Sequence, residues 1–162
     1  MVLHYTHAMR KKFKVEEVTR EEISTLPQLS WYVNFFTANR IQYILTTNAA
    51  SLFSVLLYKR GMRDDGDYIK EFLSELREHL EDLDMQLIFD RVIANRTGSI
   101  VISKTFDRSV LGSMNDMVHA VKILGERDDT TPWDLSKTIN TTPYSAIGYM
   151  KPVEGFRRLP LA

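Results

Sequence analysis

Cysteine is absent from this sequence, and proline and glycine are sparse, at five and seven residues. Without cysteine there is no disulfide framework, no thiolate zinc or iron–sulfur site and no thiol nucleophile. Long apolar runs are missing too. The strongest stretches, Ile41–Leu45 and Leu52–Tyr58, have the length of strands and fall far short of the ~20 residues a bilayer requires. Met1-Val2-Leu3-His4-Tyr5 lacks the order of basic, apolar and small-residue regions of a signal peptide. A soluble, cytoplasmic product is expected. The phosphate-binding patterns G-x-x-x-x-G-K-[ST] and G-x-G-x-x-G do not occur, nor does the G-x-S-x-G elbow of serine hydrolases. No cofactor is therefore expected.

The chain of 162 residues, 44% hydrophobic and 26% charged, suits one globular domain over 1–162, with no repeat or linker to divide it. Its 21 basic and 21 acidic side chains cancel. They are not evenly spread. Residues 1–20 carry five basic groups (Arg10, Lys11, Lys12, Lys14, Arg20) against two glutamates, whereas residues 61–90 carry three basic against ten acidic groups. A neutral chain does not favour sequence-independent nucleic-acid binding, which rests on neutralising many phosphates. A basic face opposite an acidic helix remains compatible with the pattern.

Val2–Tyr5 reads as a short strand, and Thr6 as the cap of a helix over His7–Lys14. Residues 15–30 are polar and end in a Pro27 loop. Then the period changes. Trp31–Thr37, Ile41–Thr47 and Leu52–Tyr58 are rich in aromatic and β-branched residues and are separated by short Asn-containing gaps, which predicts a three-strand antiparallel meander. From Asp67, apolar residues recur at helical spacing through Leu83, with acids on the other face. A break near Asp84 starts a second helix, which ends at Asn95–Gly98. Ser99–Lys104 is a further strand, Asp107 or Ser109 caps a helix through Val121, and Thr131-Pro132 opens a shorter one. The order β-α-βββ-αα-β-α-α argues for an α+β fold: an antiparallel or mixed sheet built on the meander, with helices packed on one face.

The densest polar cluster at an element junction runs from Lys104 to Asp116, where a strand feeds a helix start and unpaired N–H groups favour an anion. Arg108 is suited to a bidentate grip on phosphate or carboxylate, Lys104 to a point charge, and Ser109 to donating a hydroxyl. Ser109, Ser113 and Asp116 share one helical stripe, and Asn115 lies beside it. The competing reading is structural, with Asp107 an ordinary cap and Arg108 paired to an acid of the 67–84 helix. Arg40, at a hairpin tip beside the meander's aromatics, is a further candidate. His4 and His7 are three apart, without a third metal ligand nearby. His119 follows Asp116 by three on one helix, where side chains point outward in parallel rather than converging as a triad must.

The string K-T-F-D-R-S-V-L-G-S-M-N-D at 104–116 resembles the signature of a small bacterial domain family of unknown function, whose members occur alone or joined to plasmid ORF-3-like proteins. The resemblance extends over nearly the whole chain through W-Y-V-N at 31–34, Arg40, T-N at 47–48, L-F-S at 52–54, Asn140, Pro143, Gly148-Tyr149 and Pro152. It implies a shared fold and no particular reaction. The leading expectation is a non-enzymatic binding or accessory module for a macromolecule or anionic ligand, using Lys104, Asp107, Arg108, Ser109, Ser113, Asn115 and Asp116, with Arg40. The alternatives are an enzyme acting on a phosphate-bearing substrate through Asp107 and Asp116, or a protein inhibitor presenting the acidic helix.

Overall fold

A computed structural model of the chain describes residues 1–16, 24 and 26–161. Most of the polar stretch before Pro27, including Arg20, lies outside the described residues. Five strands form one mixed sheet: β1 (Val2–Tyr5), β2 (Ser30–Ala38), β3 (Ile41–Asn48), β4 (Ser54–Tyr58) and β5 (Val101–Lys104), in the order β4-β3-β2-β1-β5. The expected meander is β2-β3-β4, antiparallel throughout. β1 lies parallel between β2 and β5, matching Tyr5 to Val33 and to Lys104.

Among the described residues, six helices accompany the sheet: α1 (His7–Phe13), α2 (Asp65–Asp82), α3 (Gln86–Ile88, continued by a π turn over Phe89–Ile93), α4 (Arg108–Leu124), α5 (Pro132–Asn140) and α6 (Pro152–Arg157). The caps legible in the sequence are in place. Thr6 accepts from the Met9 N–H, Asp107 caps α4, and Thr131 and Asp134 close a reciprocal capping box on α5. Asp64 caps α2, which starts at Asp65, before the expected Asp67.

The α+β class agrees with the expectation, and so does the element order apart from the added α6, but the one-sided packing does not. Alternate residues of each strand point to opposite faces, and both faces are apolar. Trp31, Val33, Ile44, Val55 and Leu57 meet Tyr68, Phe72, Leu76 and Leu80 of α2 on one side. Tyr32, Phe36, Tyr43, Leu45 and Leu56 meet α4 (Val110, Met114, Met117, Val121) and α5 (Leu135, Ile139) on the other. The near-continuous apolar strands demanded this, because a sheet with one wet face alternates apolar with polar.

The turn from β3 to β4 is organised by one buried side chain. Asn48 Oδ1 accepts from the N–H groups of Ala50 and Ser51 and from Ser51 Oγ, while its Nδ2 donates to Pro27 O and Ser30 O. At the sheet's edge, Lys59 N–H donates to Gln42 O and Asn48 N–H to Phe53 O, so the antiparallel alternation turns the backbone groups of Ser54, Leu56 and Tyr58 away from β3. Helix α5 meets them with side chains. Asn140 accepts from Ser54 N–H at 2.7 Å and donates to Ser54 O at 2.8 Å, and Ser136 Oγ accepts from Leu56 N–H at 2.9 Å.

Candidate functional site

The residues of the 104–116 string do not share one site. Asp107 Oδ1 accepts from the N–H groups of Ser109 (2.9 Å) and Val110 (3.3 Å), while Tyr32 Oη accepts from Asp107 N–H at 2.9 Å. The anion at this helix start is therefore supplied by the chain itself, and Asp107 acts as a cap. Arg108 and Ser109 are exposed on the first turn, and Arg108 makes no ion pair among the described residues. Lys104 is half-buried and engaged. Asn115 and His119 lie on the exposed side of α4. Ser113 and Asp116 instead enter a groove of about 380 Å³ between α4, the end of α5 and the Tyr144–Tyr149 loop. There Tyr144 is pushed up to about 12 by burial and then by the charge of Asp116.

His4 does not pair with His7. Its ring is buried, with Nδ1 3.0 Å from Lys104 O and Nε2 3.0 Å from Ser30 Oγ. A carbonyl only accepts, so Nδ1 carries the hydrogen and Nε2 accepts from Ser30. Burial lowers the imidazole pKa, against the opposing effect of the hydrogen bond to Lys104. With both nitrogens committed, His4 is a structural polar group.

Cations collect at the end of the sheet where β1 and β2 finish and β3 begins. His7, Arg10 and Lys11 of α1 and its cap residue Lys14 surround a hollow of about 420 Å³ that no carboxylate lines among the described residues. Arg40, Lys59 and Arg60 surround a second, of about 450 Å³, again without a carboxylate in its lining among the described residues. The two are neighbours, because Lys59 Nζ lies 5.7 Å from the centre of the Phe13 ring at the end of α1. Lys12 over Phe35 (5.0 Å) and Arg60 over Tyr58 (5.9 Å) complete a set of cations seated on aromatic faces. Arg40 stands at the β2–β3 tip with φ +65°, beside Asn39 at +53°. Of the sequence candidates only Arg40 belongs to this face. Its α1 half is visible in the sequence as the basic excess of residues 1–20, whereas Lys59 and Arg60 are not; what was missing was the position of α1 next to the end of β4.

A third groove, about 610 Å³, lies between the outer edge of β4, α2 and the start of α5, and its lining mixes signs. Arg63 and Asp67 pair within it at 3.0 Å, and hydrogen bonds from Arg63 hold the Asp67 carboxyl down at about 2. Glu75 is raised by burial and then by the charges of Glu78 and Glu71.

Residues 2–155 match the model of a family described as a domain of unknown function, DUF6933. The chain belongs to that family. No curated protein and no solved structure matches it. The DUF6933 match spans β1 through most of α6, so both helical layers and the cationic end lie within it. Among the described residues, no helix of this DUF6933 chain is long and apolar enough to cross a membrane.

Proposed function

We propose that the chain is a cytoplasmic, non-enzymatic binding module for an anionic macromolecule, engaged through the cationic end of the sheet. The observation that carries this reading is the pair of adjoining hollows lined by His7, Arg10, Lys11 and Lys14 and by Arg40, Lys59 and Arg60, with no carboxylate lining either among the described residues. Overall neutrality does not oppose it, because a local concentration of one sign sets the field a partner meets. The acids that balance these charges are concentrated on α2. Aromatic seats beneath Lys12, Lys59 and Arg60 restrict those side chains, which reduces the entropy lost on binding. Nucleic acid is the polyanion this reading takes, since its regularly spaced phosphates match a row of separate cations across the two hollows.

Asp107 and Asp116 weigh against the phosphate-enzyme alternative. Nine residues along α4 separate them by about 13 Å, too far to hold one metal ion, and Asp107 is spent as a cap. The test is fluorescence anisotropy of a labelled single-stranded oligonucleotide over a salt series. The expected result is binding that weakens steeply with salt, with the slope reduced when Lys11, Lys14 and Arg60 are replaced by Ala. No binding at low salt, or an unchanged slope in a folded triple variant, refutes the reading.

A further inference from the structure

The groove beside α4 has the opposite chemistry. It offers acceptors. Ser113 Oγ donates to Ser109 O at 3.1 Å, Thr138 Oγ1 to Asp134 O at 3.2 Å, and Thr142 Oγ1 to Thr138 O at 2.7 Å. Each hydroxyl has a single hydrogen, so these three groove-lining oxygens have only lone pairs left to present. Asp116 adds an exposed carboxylate that makes no ion pair among the described residues, and no Lys, Arg or His lines the groove with it.

Two tyrosines also line the groove. Tyr144 is buried at the base of the loop, and Tyr149 stands at its rim with 74% of its surface exposed. The loop holds Tyr149 there. Gly148 and Tyr149 take φ of +65° and +61° in succession, and Tyr149 N–H donates back to Tyr144 O at 2.9 Å. A left-handed backbone at a large aromatic residue is uncommon, and here its consequence is a ring beside an unbalanced carboxylate. Lone pairs, one negative charge and aromatic faces around a concave space form a receptor for a cation that carries several N–H donors.

We propose that this groove binds an organic cation, a guanidinium or alkylammonium group, with Asp116 as its counter-ion and Tyr149 as its aromatic wall. An anion is disfavoured there, since the carboxylate repels it and three of the six groove-lining hydroxyls have spent their hydrogens. The site shares no lining residue with the cationic hollows, so it stands or falls independently of the polyanion reading. The chemistry is common to a free polyamine and to an arginine or lysine side chain of a peptide.

The experiment is NMR titration of the intact chain with four probes: N-acetyl-arginine amide, its neutral isostere N-acetyl-citrulline amide, spermidine, and a short arginine-containing peptide. Saturable shifts are expected at Ser113, Asp116, Tyr144 and Tyr149 with the cations, and at least about tenfold weaker binding of the citrulline compound, the scale of a lost charge-assisted hydrogen bond. Asp116→Asn should reduce affinity by a similar factor while leaving the thermal midpoint unchanged, because Asp116 is exposed and unpaired among the described residues. Tyr149→Ala should weaken binding several-fold. Tighter binding of the peptide assigns the site to a side chain, and tighter binding of spermidine assigns it to a free amine. Equal binding of the arginine and citrulline compounds, an unaffected Asp116→Asn, or no saturable shift with any cation overturns the proposal.

Discussion

His79 of α2 and Trp133 of α5 stack with ring centroids 3.8 Å apart and planes 10° from parallel. This contact joins the two helical layers around the β4 edge, supported by the Lys137–Asp82 pair at 2.9 Å and by Lys137 over the Trp133 ring at 5.5 Å. His79 Nε2 is buried without a hydrogen-bond partner among the described residues. Burial pushes its pKa down to about 4; Asp82 raises it and Lys137 lowers it further.

The pH dependence follows from that depression. An unfolded chain protonates this histidine near 6.5, while the folded chain resists until about 4. Between those values the unfolded state binds more protons, so stability falls as the pH drops through the window and levels off below it. The full effect is on the order of 3 kcal/mol. His79→Leu should flatten this slope in urea midpoints measured from pH 7 to 4, and should stabilise the chain at pH 5. A variant with the wild-type slope would show that another group is responsible.

Asn140 makes a comparable contribution at the strand edge. Its amide takes both outward groups of Ser54, one as acceptor and one as donor. Asn140→Ala leaves two buried backbone groups unpaired and should cost about 2–4 kcal/mol in chemical denaturation. Asn140→Asp keeps the acceptor but turns a second acceptor toward Ser54 O, and should also destabilise. Both variants bare an edge strand, so concentration-dependent association on gel filtration is expected alongside the loss of stability.

These two contacts also mark what the sequence reveals. Local signals were legible: the aromatic runs of the meander, the apolar spacing of α2, and the caps at Thr6, Asp107 and Thr131. Nonlocal ones were not. β1 and β5 are four residues each and pair in parallel across about a hundred positions, and no local pattern encodes that register. His4 reads as one of a histidine pair until β5 brings the Lys104 carbonyl to it. The site was split for the same reason, since one string on α4 serves a cap, an exposed turn and a groove, while the cations of α1 become a face only beside Lys59.

Gly112 lies in the exposed middle of α4, and a Cβ built there meets nothing within 4 Å. Internal packing gives no reason for glycine here. Gly112→Ala should therefore stabilise the chain by about 0.5–1 kcal/mol, the helix-propensity difference, and raise the thermal midpoint by roughly 1–4 °C. Arg108→Ala, one turn earlier, should change stability by less than about 0.5 kcal/mol. Any binding lost in that variant then reports a lost contact rather than a damaged fold.

Ser30 and His4 supply the remaining test, because their pairing is the feature most easily mistaken for chemistry. A serine hydroxyl 3.0 Å from an imidazole whose other nitrogen is held by a carbonyl has the connectivity of a nucleophile and its base. Neither residue lines any of the grooves and hollows described above, and His4 is 1% exposed, between the rings of Tyr32 and Phe106. If the pair is structural, Ser30→Ala strands a buried lone pair and should cost about 1–3 kcal/mol. Imidazole nitrogen shifts in the wild type should report the Nδ1–H tautomer at neutral pH, and a serine-directed fluorophosphonate should leave Ser30 unlabelled. Stoichiometric labelling that is lost in a folded Ser30→Ala variant would reverse the assignment and make the pair a reactive site.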